Sequence, residues 1–412
     1  MRICRRSQLL DIYQSAVEAV AGRQCVAAHL SAHPLPGPVY MVAIGKAAAS
    51  MARGAMDACA DALVRGLVIT RHGYLDPVVG RDPRLDCREA GHPVPDQGSI
   101  DAGGALLGFI DAVPPGAQLL FLISGGSSSL VEVLPKGVTA QDLERVNRWL
   151  LGSGLDIARM NGVRKALSCI KGGRLALRLG GRPARLLLIS DVRGDDPAAI
   201  GSGLLVADPA PATLDAQRLP DWLATLLGRA PATPSARQLA SLQLDTVLVA
   251  RLADALEAAA RRGRDLGLAV HRHTGFVDGE ASVAGAELAR QLLAGARGIH
   301  VWGGETTVTL PATPGRGGRC QTLALAAAQV LRGHPEVVLL AAGSDGSDGP
   351  GEDAGALVDG ATVDRGAAEG LDDQASLDRA DAGTYLEASG DLIQTGPTGT
   401  NVMDLIIGFA PG

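Results

Sequence analysis

Val337-Val338-Leu339-Leu340-Ala341-Ala342 runs without a polar break into Gly343-Ser344-Asp345-Gly346-Ser347-Asp348-Gly349. A continuous rather than alternating apolar run reads as a strand buried on both faces, as in a parallel α/β sheet. The glycines that follow let backbone N–H groups approach an anion, and the interleaved aspartates suit a divalent cation. The same grammar recurs upstream. Val39 to Ile44 precedes Gly45-Lys46, Leu119 to Ile123 precedes Ser124-Gly125-Gly126, and Leu186 to Ile189 precedes Ser190-Asp191. In open α/β sheets ligands gather beyond the carboxyl ends of the strands, so these strand-end loops are where a site is expected. Two further loops rich in small residues, Gly315 to Arg319 and Thr395 to Asn401, join them.

Helical patterns fill the intervals. Ala47 to Ala60 follows the first strand, Thr246 to Arg262 is rich in Ala, Leu and Arg, and Ala281 to Ala294 precedes a hairpin expected from Gly298 to Trp302 and Thr306 to Leu310. The segment from Asp208 to Gln238 holds Pro209, Pro211, Pro220, Pro231 and Pro234, with a short Trp222-to-Leu227 helix inside. Such a stretch reads as a linker. A chain of 412 residues is too long for one ordinary core. The expectation is therefore an α/β protein of two domains, 1–235 and 236–412.

Composition excludes several classes. Apolar residues at 46% and charged residues at 20% are globular values, not disordered ones. Aromatics at 3% and a net charge of −6 argue against nucleic acid as a partner. The cysteines (Cys4, Cys25, Cys59, Cys87, Cys169, Cys320) contain no C-x-x-C pair, which reads as reduced thiols in a cytoplasmic protein. Leu9, Ile12, Tyr13, Ala16, Val17 and Val20 recur at helical spacing, so the start reads as an amphipathic helix rather than a signal peptide. The uncharged stretch around Pro114-Pro115-Gly116 and Ser124-Gly125-Gly126 is too broken to span a membrane.

Lys46, at a strand–Gly–Lys–helix junction, suits phosphate neutralisation beside a positive helix end, or is a solvated first-turn lysine. Ser124, Gly125, Gly126, Ser127 and Ser128 offer hydroxyl and backbone donors for a phosphate, or form a flexible turn. Asn161 to Arg174 reads as a short basic helix closed by glycines, with Arg164, Ser168 and Lys171 on one face fit for a carboxylate or phosphate. A solvated basic face has the same spacing. Asp191, Asp195, Asp196, Asp345 and Asp348 are carboxylates of the kind that hold Mg²⁺ together with phosphate oxygens. No G-x-x-x-x-G-K-[ST], G-x-G-x-x-G, G-x-S-x-G or H-E-x-x-H occurs, which disfavours a P-loop, a nicotinamide fingerprint, a serine hydrolase and a zinc site. His92, in Gly91-His92-Pro93-Val94-Pro95-Asp96, reads as a loop-structuring residue.

In order along the chain, these segments resemble the class II glycerate 2-kinase family, whose C-terminal module is known as MOFRL. The matching segments are Gly45-Lys46-Ala47-Ala48, Gly91 to Asp96, Ile123 to Gly126, Asn161 to Ala176, Ile189-Ser190-Asp191-Val192, Gly303 to Val308, Gly317-Gly318-Arg319, Ser344 to Pro350 and Thr395 to Asn401. The resemblance implies a Rossmann-like parallel-sheet N-terminal domain and a mixed-sheet C-terminal domain with a cleft between. It implies an ATP- and Mg²⁺-dependent kinase acting on the 2-hydroxyl of D-glycerate, with Lys46 and Arg319 catalytic. Asp191 and Asp345 are metal candidates, and Thr398 and Asn401 join the phosphate- or substrate-binding set. A monomer or homodimer handling only small molecules and nucleotide is expected. Lys46→Ala and Arg319→Ala are expected to lower turnover far more than stability.

The sequence departs from the family pattern in places. Cys320-Gln321-Thr322 stands where Asn-Gln-Glu is common, Gly125-Gly126-Ser127-Ser128 replaces Gly-Gly-Gly-Ser, and Ser202-Gly203-Leu204 replaces Ser-Gly-Pro. Met403 stands where Asn is expected before Asp404, and Ala380-Asp381 where an Asn-Asp pair is expected. Another small hydroxy acid, such as a four-carbon sugar acid, is the alternative substrate. A hydroxypyruvate reductase and a non-catalytic binder are the competing classes.

Overall fold

The computed structural model describes residues 2–153, 155, 157–208 and 219–411. It divides into two compact units, Gly22–Val249 and a second made of Met1–Ala21 with Ala250–Gly412. The expected break at 235–236 thus differs from the observed division in two ways. The last strand of the first sheet lies beyond it, and the N-terminal helix groups with the C-terminal part.

The first unit is built on β1 (Val39–Ile44), β2 (Leu63–Arg71), β3 (Leu85–Ala90), β4 (Gln118–Ile123), β5 (Ala184–Ile189) and β6 (Leu244–Ala250), in the order β3-β2-β1-β4-β5-β6. β1 pairs parallel with β2 and β4, β2 with β3, and β4 with β5. The continuous apolar runs are buried as expected: Val42, Ile44, Leu119, Phe121, Ile123, Leu186 and Leu188 form one core with Leu106 and Ile110 of the helix Gln97–Asp111. Strand order reverses between β1 and β4, which creates the crevice where ligands sit in such sheets. A satellite cluster of Leu143, Val146, Val163, Leu167, Leu223 and Leu226 joins the helices Ala140–Gly152, Ile157–Leu167 and Asp221–Leu227.

The segment expected as a linker therefore packs instead. Residues 209–218 lie outside the described residues, but Leu223 and Leu226 are core. Arg174 donates to the Pro231 carbonyl at 3.0 Å and to Thr233 Oγ1 at 3.2 Å. The described part of the segment, from Leu219 onward, is docked rather than free. The helix expected over 246–262 is also divided: Thr246 to Val249 continue β6, whose β-branched residues favour a strand. The helix Leu252–Asp265 starts after Arg251, whose N–H donates to Asp254 Oδ2 at 3.1 Å.

The second unit carries β7 (Val270–Val277), β8 (Gly298–Gly304), β9 (Val338–Gly343), β10 (Gly355–Asp359), β11 (Leu392–Ile393) and β12 (Asp404–Ala410), ordered β11-β10-β9-β12-β8-β7. The β7–β8 pair is parallel and the others are antiparallel, so the sheet is mixed. The expected hairpin at 298–310 does not form. β12 and β7 occupy both edges of β8, leaving Thr306 to Leu310 no edge to pair with beyond the single Glu280–Thr307 bridge. The amphipathic helix Arg2–Ala19 packs on the helix Leu252–Asp265 and β12, burying Leu9, Ile12 and Ala16, and Val20 just past its end is buried too. No helix among the described residues is long and apolar enough to cross a membrane.

Candidate active site

At the β1/β4 reversal two strand-end loops are tied together by their backbones. Ser124 N–H donates to the Ile44 carbonyl at 3.0 Å, and Lys46 N–H to the Gly125 carbonyl at 2.9 Å. Ser124 Oγ accepts the Ala47 N–H at 3.0 Å. Gly45 has φ +133°, and a Cβ there would lie 2.1 Å from Ser124 Oγ, so only glycine fits. Gly126, at φ +83°, leaves 3.2 Å between such a Cβ and the Lys46 side chain and 3.0 Å to the His92 ring. Lys46, Gly126 and His92 are thereby neighbours. Of the serines expected to hold phosphate, Ser124 is spent on the turn and Ser127 points at Gly201, its buried Oγ lacking a partner among the described residues. Ser128 lines a cavity and hydrogen-bonds Ser202 Oγ at 2.7 Å.

That cavity, about 180 Å³, lies wholly in the first unit and is lined by His92, Ser128, Glu132, Asn147, Arg164 and Lys171 among others. Arg164 and Lys171 do converge, though not as one helix face. The helix stops at Leu167, and Ser168 turns the chain by accepting the Ile170 and Lys171 N–H groups at 3.2 and 3.3 Å. Lys171 is buried in an ion pair with Glu132, whose other oxygen accepts the Ser168 hydroxyl at 2.5 Å. Among the described residues, Arg164 reaches only the carboxamide oxygens of Asn147 at 3.4 Å and Asn161 at 3.3 Å. Burial pulls its guanidinium below the usual arginine value. His92, which the sequence presents as a loop-structuring residue, lines the cavity. Glu132 was missed; its only signal is a lone acid inside Val131-Glu132-Val133-Leu134.

The remaining candidates lie in the second unit, where β8, β12 and β9 align Gly304, Asp404 and Gly343 in register. Asp404 accepts Arg319 Nε and Nη2 at 2.6 and 2.8 Å, and Glu305 lies 3.2 Å from the same guanidinium. Gly318 precedes it because a Cβ there would meet Asp348 at 2.3 Å. Asp348 caps the helix Arg319–Leu331, accepting the Cys320 and Gln321 N–H groups at 3.0 and 2.8 Å. Burial, reinforced by Asp404, pushes the Asp348 carboxyl up to about 7 against those hydrogen bonds. Asp345 Oδ1 accepts the Ser347 N–H and hydroxyl at 2.9 and 3.0 Å. Thr398 Oγ1 donates to the Ser344 carbonyl at 2.5 Å, binding the two loops, and Asn401 is buried beside Thr400. Asp404, which holds Arg319, was not singled out from sequence, since an acid opening an apolar strand carries no distinctive pattern.

The metal candidates are thus divided, Asp191 after β5 in the first unit and Asp345 after β9 in the second. Among the described residues no three His, Cys, Asp or Glu side chains cluster as a metal cage. Asp196 Oδ1 accepts the Ala198 N–H at 2.9 Å and serves a turn. Single carboxylates still fit Mg²⁺, which typically takes one or two of them and completes its shell with water and substrate phosphates.

Residues 8–221 match the model of a domain of unknown function, DUF4147, and residues 298–404 match the MOFRL family. The D-glycerate 2-kinase of Thermotoga maritima is 35% identical over 97% of both chains. A protein of Agrobacterium vitis that carries a hydroxypyruvate reductase name is 39% identical over 98% of this chain and 94% of its own. The crystal structure of a glycerate kinase from Thermotoga maritima matches with a TM-score of 0.83 and 32% identity, covering 99% of each chain.

Proposed function

The chain belongs to the MOFRL-containing glycerate kinase family, and from that premise we propose that it phosphorylates D-glycerate at the 2-hydroxyl. ATP and D-glycerate give ADP, 2-phospho-D-glycerate and the proton lost by the hydroxyl. The observation that carries this reading is the likeness to a D-glycerate 2-kinase along 97% of both chains. The site chemistry supports it. Phosphoryl transfer asks a protein for positioning and for cations near the equatorial oxygens, with little covalent work. Lys46 supplies a cation on a turn fixed by the Gly125 carbonyl, and Arg319 a planar fork held in place by Asp404. A bound Mg²⁺ would neutralise phosphate charge, with Asp191 or Asp345 as the protein carboxylate. The small cavity beside Lys46, with charged and polar groups set against an apolar wall, suits an acceptor of a few carbon atoms.

The test is ADP release from Mg-ATP with D-glycerate, the product passing to enolase with no mutase present. An enolase signal is expected, because enolase uses 2-phosphoglycerate. ADP without that signal would place the phosphoryl group on another oxygen. Absence of ADP with D-glycerate, but release with a four-carbon sugar acid, would move the substrate and keep the kinase. No ADP with any hydroxy acid, together with NADH oxidation by hydroxypyruvate, would replace the kinase with a reductase.

A further inference from the structure

We infer that Arg164 is the anchor for the carboxylate of the acceptor substrate, and that Lys171, its neighbour in the same cavity, is not an anion site at all. This rests on the kinase reading above and deepens it. The two cations look equivalent in sequence but differ in their partners. Lys171 is neutralised by the buried Glu132 carboxylate, which also takes the Ser168 hydroxyl. Its charge is already spoken for. Among the described residues, Arg164 contacts only two neutral carboxamide oxygens, at 3.4 and 3.3 Å, which lie at the long end of hydrogen bonding. No carboxylate pairs with it among the described residues. A half-buried guanidinium without a counter-ion is costly unless something anionic completes it.

The surroundings say which anion. Leu143, Val146 and Leu167 form an apolar wall of the cavity, which strengthens a charge pair formed inside it. The volume of about 180 Å³ is below the range typical of drug-sized ligands and is too small to enclose a nucleoside triphosphate. A guanidinium fork matches a planar carboxylate with two parallel hydrogen bonds, which an ammonium does not. Asn147 and Asn161 orient that fork, and Ser128 and His92 on the same cavity supply polar contacts for the hydroxyl end of a small hydroxy acid.

The experiment compares wild type, Arg164→Met and Arg164→Lys for KM of D-glycerate, KM of ATP, and turnover of D-glyceramide, the neutral amide of the same acid. For Arg164→Met the KM of D-glycerate should rise about 30-fold or more, the loss usual when one partner of a desolvated charge pair is removed. The KM of ATP should stay within about two-fold, which also reports a folded enzyme. The preference for D-glycerate over its amide should shrink by the same factor as the KM rises, and Arg164→Lys should fall between. A raised KM for ATP with D-glycerate unaffected would place Arg164 on the nucleotide and overturn the assignment. Unchanged constants throughout, or an unchanged acid-to-amide preference, would make it a solvated face and overturn it equally. Wild type inactive on every hydroxy acid is a separate failure: it removes the kinase reading, and the anchor with it.

Discussion

Glu132 and Lys171 are 4% and 3% exposed at their side chains, and that burial decides what each variant does. Removing one partner strands the other charge, which costs about 3–5 kcal/mol, whereas replacing both with apolar residues is often near neutral. Lys171→Met should therefore lower the urea midpoint sharply, and Glu132→Leu combined with Lys171→Met should recover most of it. Equal loss in single and double variants would mean the pair is not the source. The same logic revises the expectation for the two catalytic candidates. Asp404 is 5% exposed at its side chain and pairs bidentately with Arg319, so Arg319→Ala would strand a buried carboxylate and destabilise the fold as well as the chemistry. Lys46→Ala has the cleaner prediction: kcat down by about 10²-fold or more with an unfolding midpoint within error of wild type. Normal turnover would remove Lys46 from the reaction. Lys46 was legible because a strand, a glycine and a helix bracket it locally. Glu132 was not, because its partner lies 39 positions away and one sequence does not say which distant charges meet.

At the scale of elements, the helix Arg319–Leu331 begins on a carboxylate whose ionisation is contested. Hydrogen bonds from the Cys320 and Gln321 N–H groups favour the charged form of Asp348, as does Arg319; burial and the nearby Asp404 oppose it and win, holding the carboxyl up to about 7. An acid raised above its ordinary value near 3.9 keeps its proton longer when folded than when unfolded. The folded state then binds more protons between about pH 4 and 7, so this group's contribution to stability is fully present below 4 and is lost as pH rises to 7. Over that window wild type should lose up to about 4 kcal/mol relative to Asp348→Asn, whose side chain does not titrate. Urea unfolding of both proteins at several pH values measures it. A difference that moves the other way would show the helix N-terminus dominating. Four of the strands were readable for a simple reason: Val39 to Ile44, Leu119 to Ile123, Leu186 to Ile189 and Val337 to Ala342 are apolar throughout and almost wholly buried, and carry no competing period. The hairpin at 298–310 failed because pairing is settled by strands far along the chain, here β12, a contact that turn residues near Glu305 do not encode.

For the whole molecule, the first residues matter more to the last ones than to their sequence neighbours. The helix Arg2–Ala19 showed an apolar stripe in the sequence, but a stripe says only that a face is buried, not against what. The surface it covers belongs to the C-terminal unit. Arg6 pairs with Asp359 at 3.0 Å and Asp391 at 2.8 Å, Tyr13 donates to the Gly343 carbonyl at 2.7 Å, and Thr400 Oγ1 donates to the Val20 carbonyl at 2.7 Å. Gly343 ends the strand that leads into the loop of Asp345, and Thr400 adjoins Asn401, so this helix buttresses the backbone of the candidate loops. Fully burying one Leu or Ile is worth about 1.5–3 kcal/mol, and Leu9 and Ile12 are both fully buried, alongside Ala16 and Val20. A chain starting at residue 22 should accordingly lose about 5 kcal/mol or more from the C-terminal unit. Calorimetry of this truncated chain should show the C-terminal transition lowered or absent, with the transition of the Gly22–Val249 unit kept. Adding the 1–21 peptide in trans should restore the lost transition and part of the turnover, because what it supplies is packing rather than a reacting group. If truncation leaves both transitions where they were, the N-terminal helix is an ornament on the surface and the grouping of residues 1–21 with the C-terminal unit has no energetic meaning.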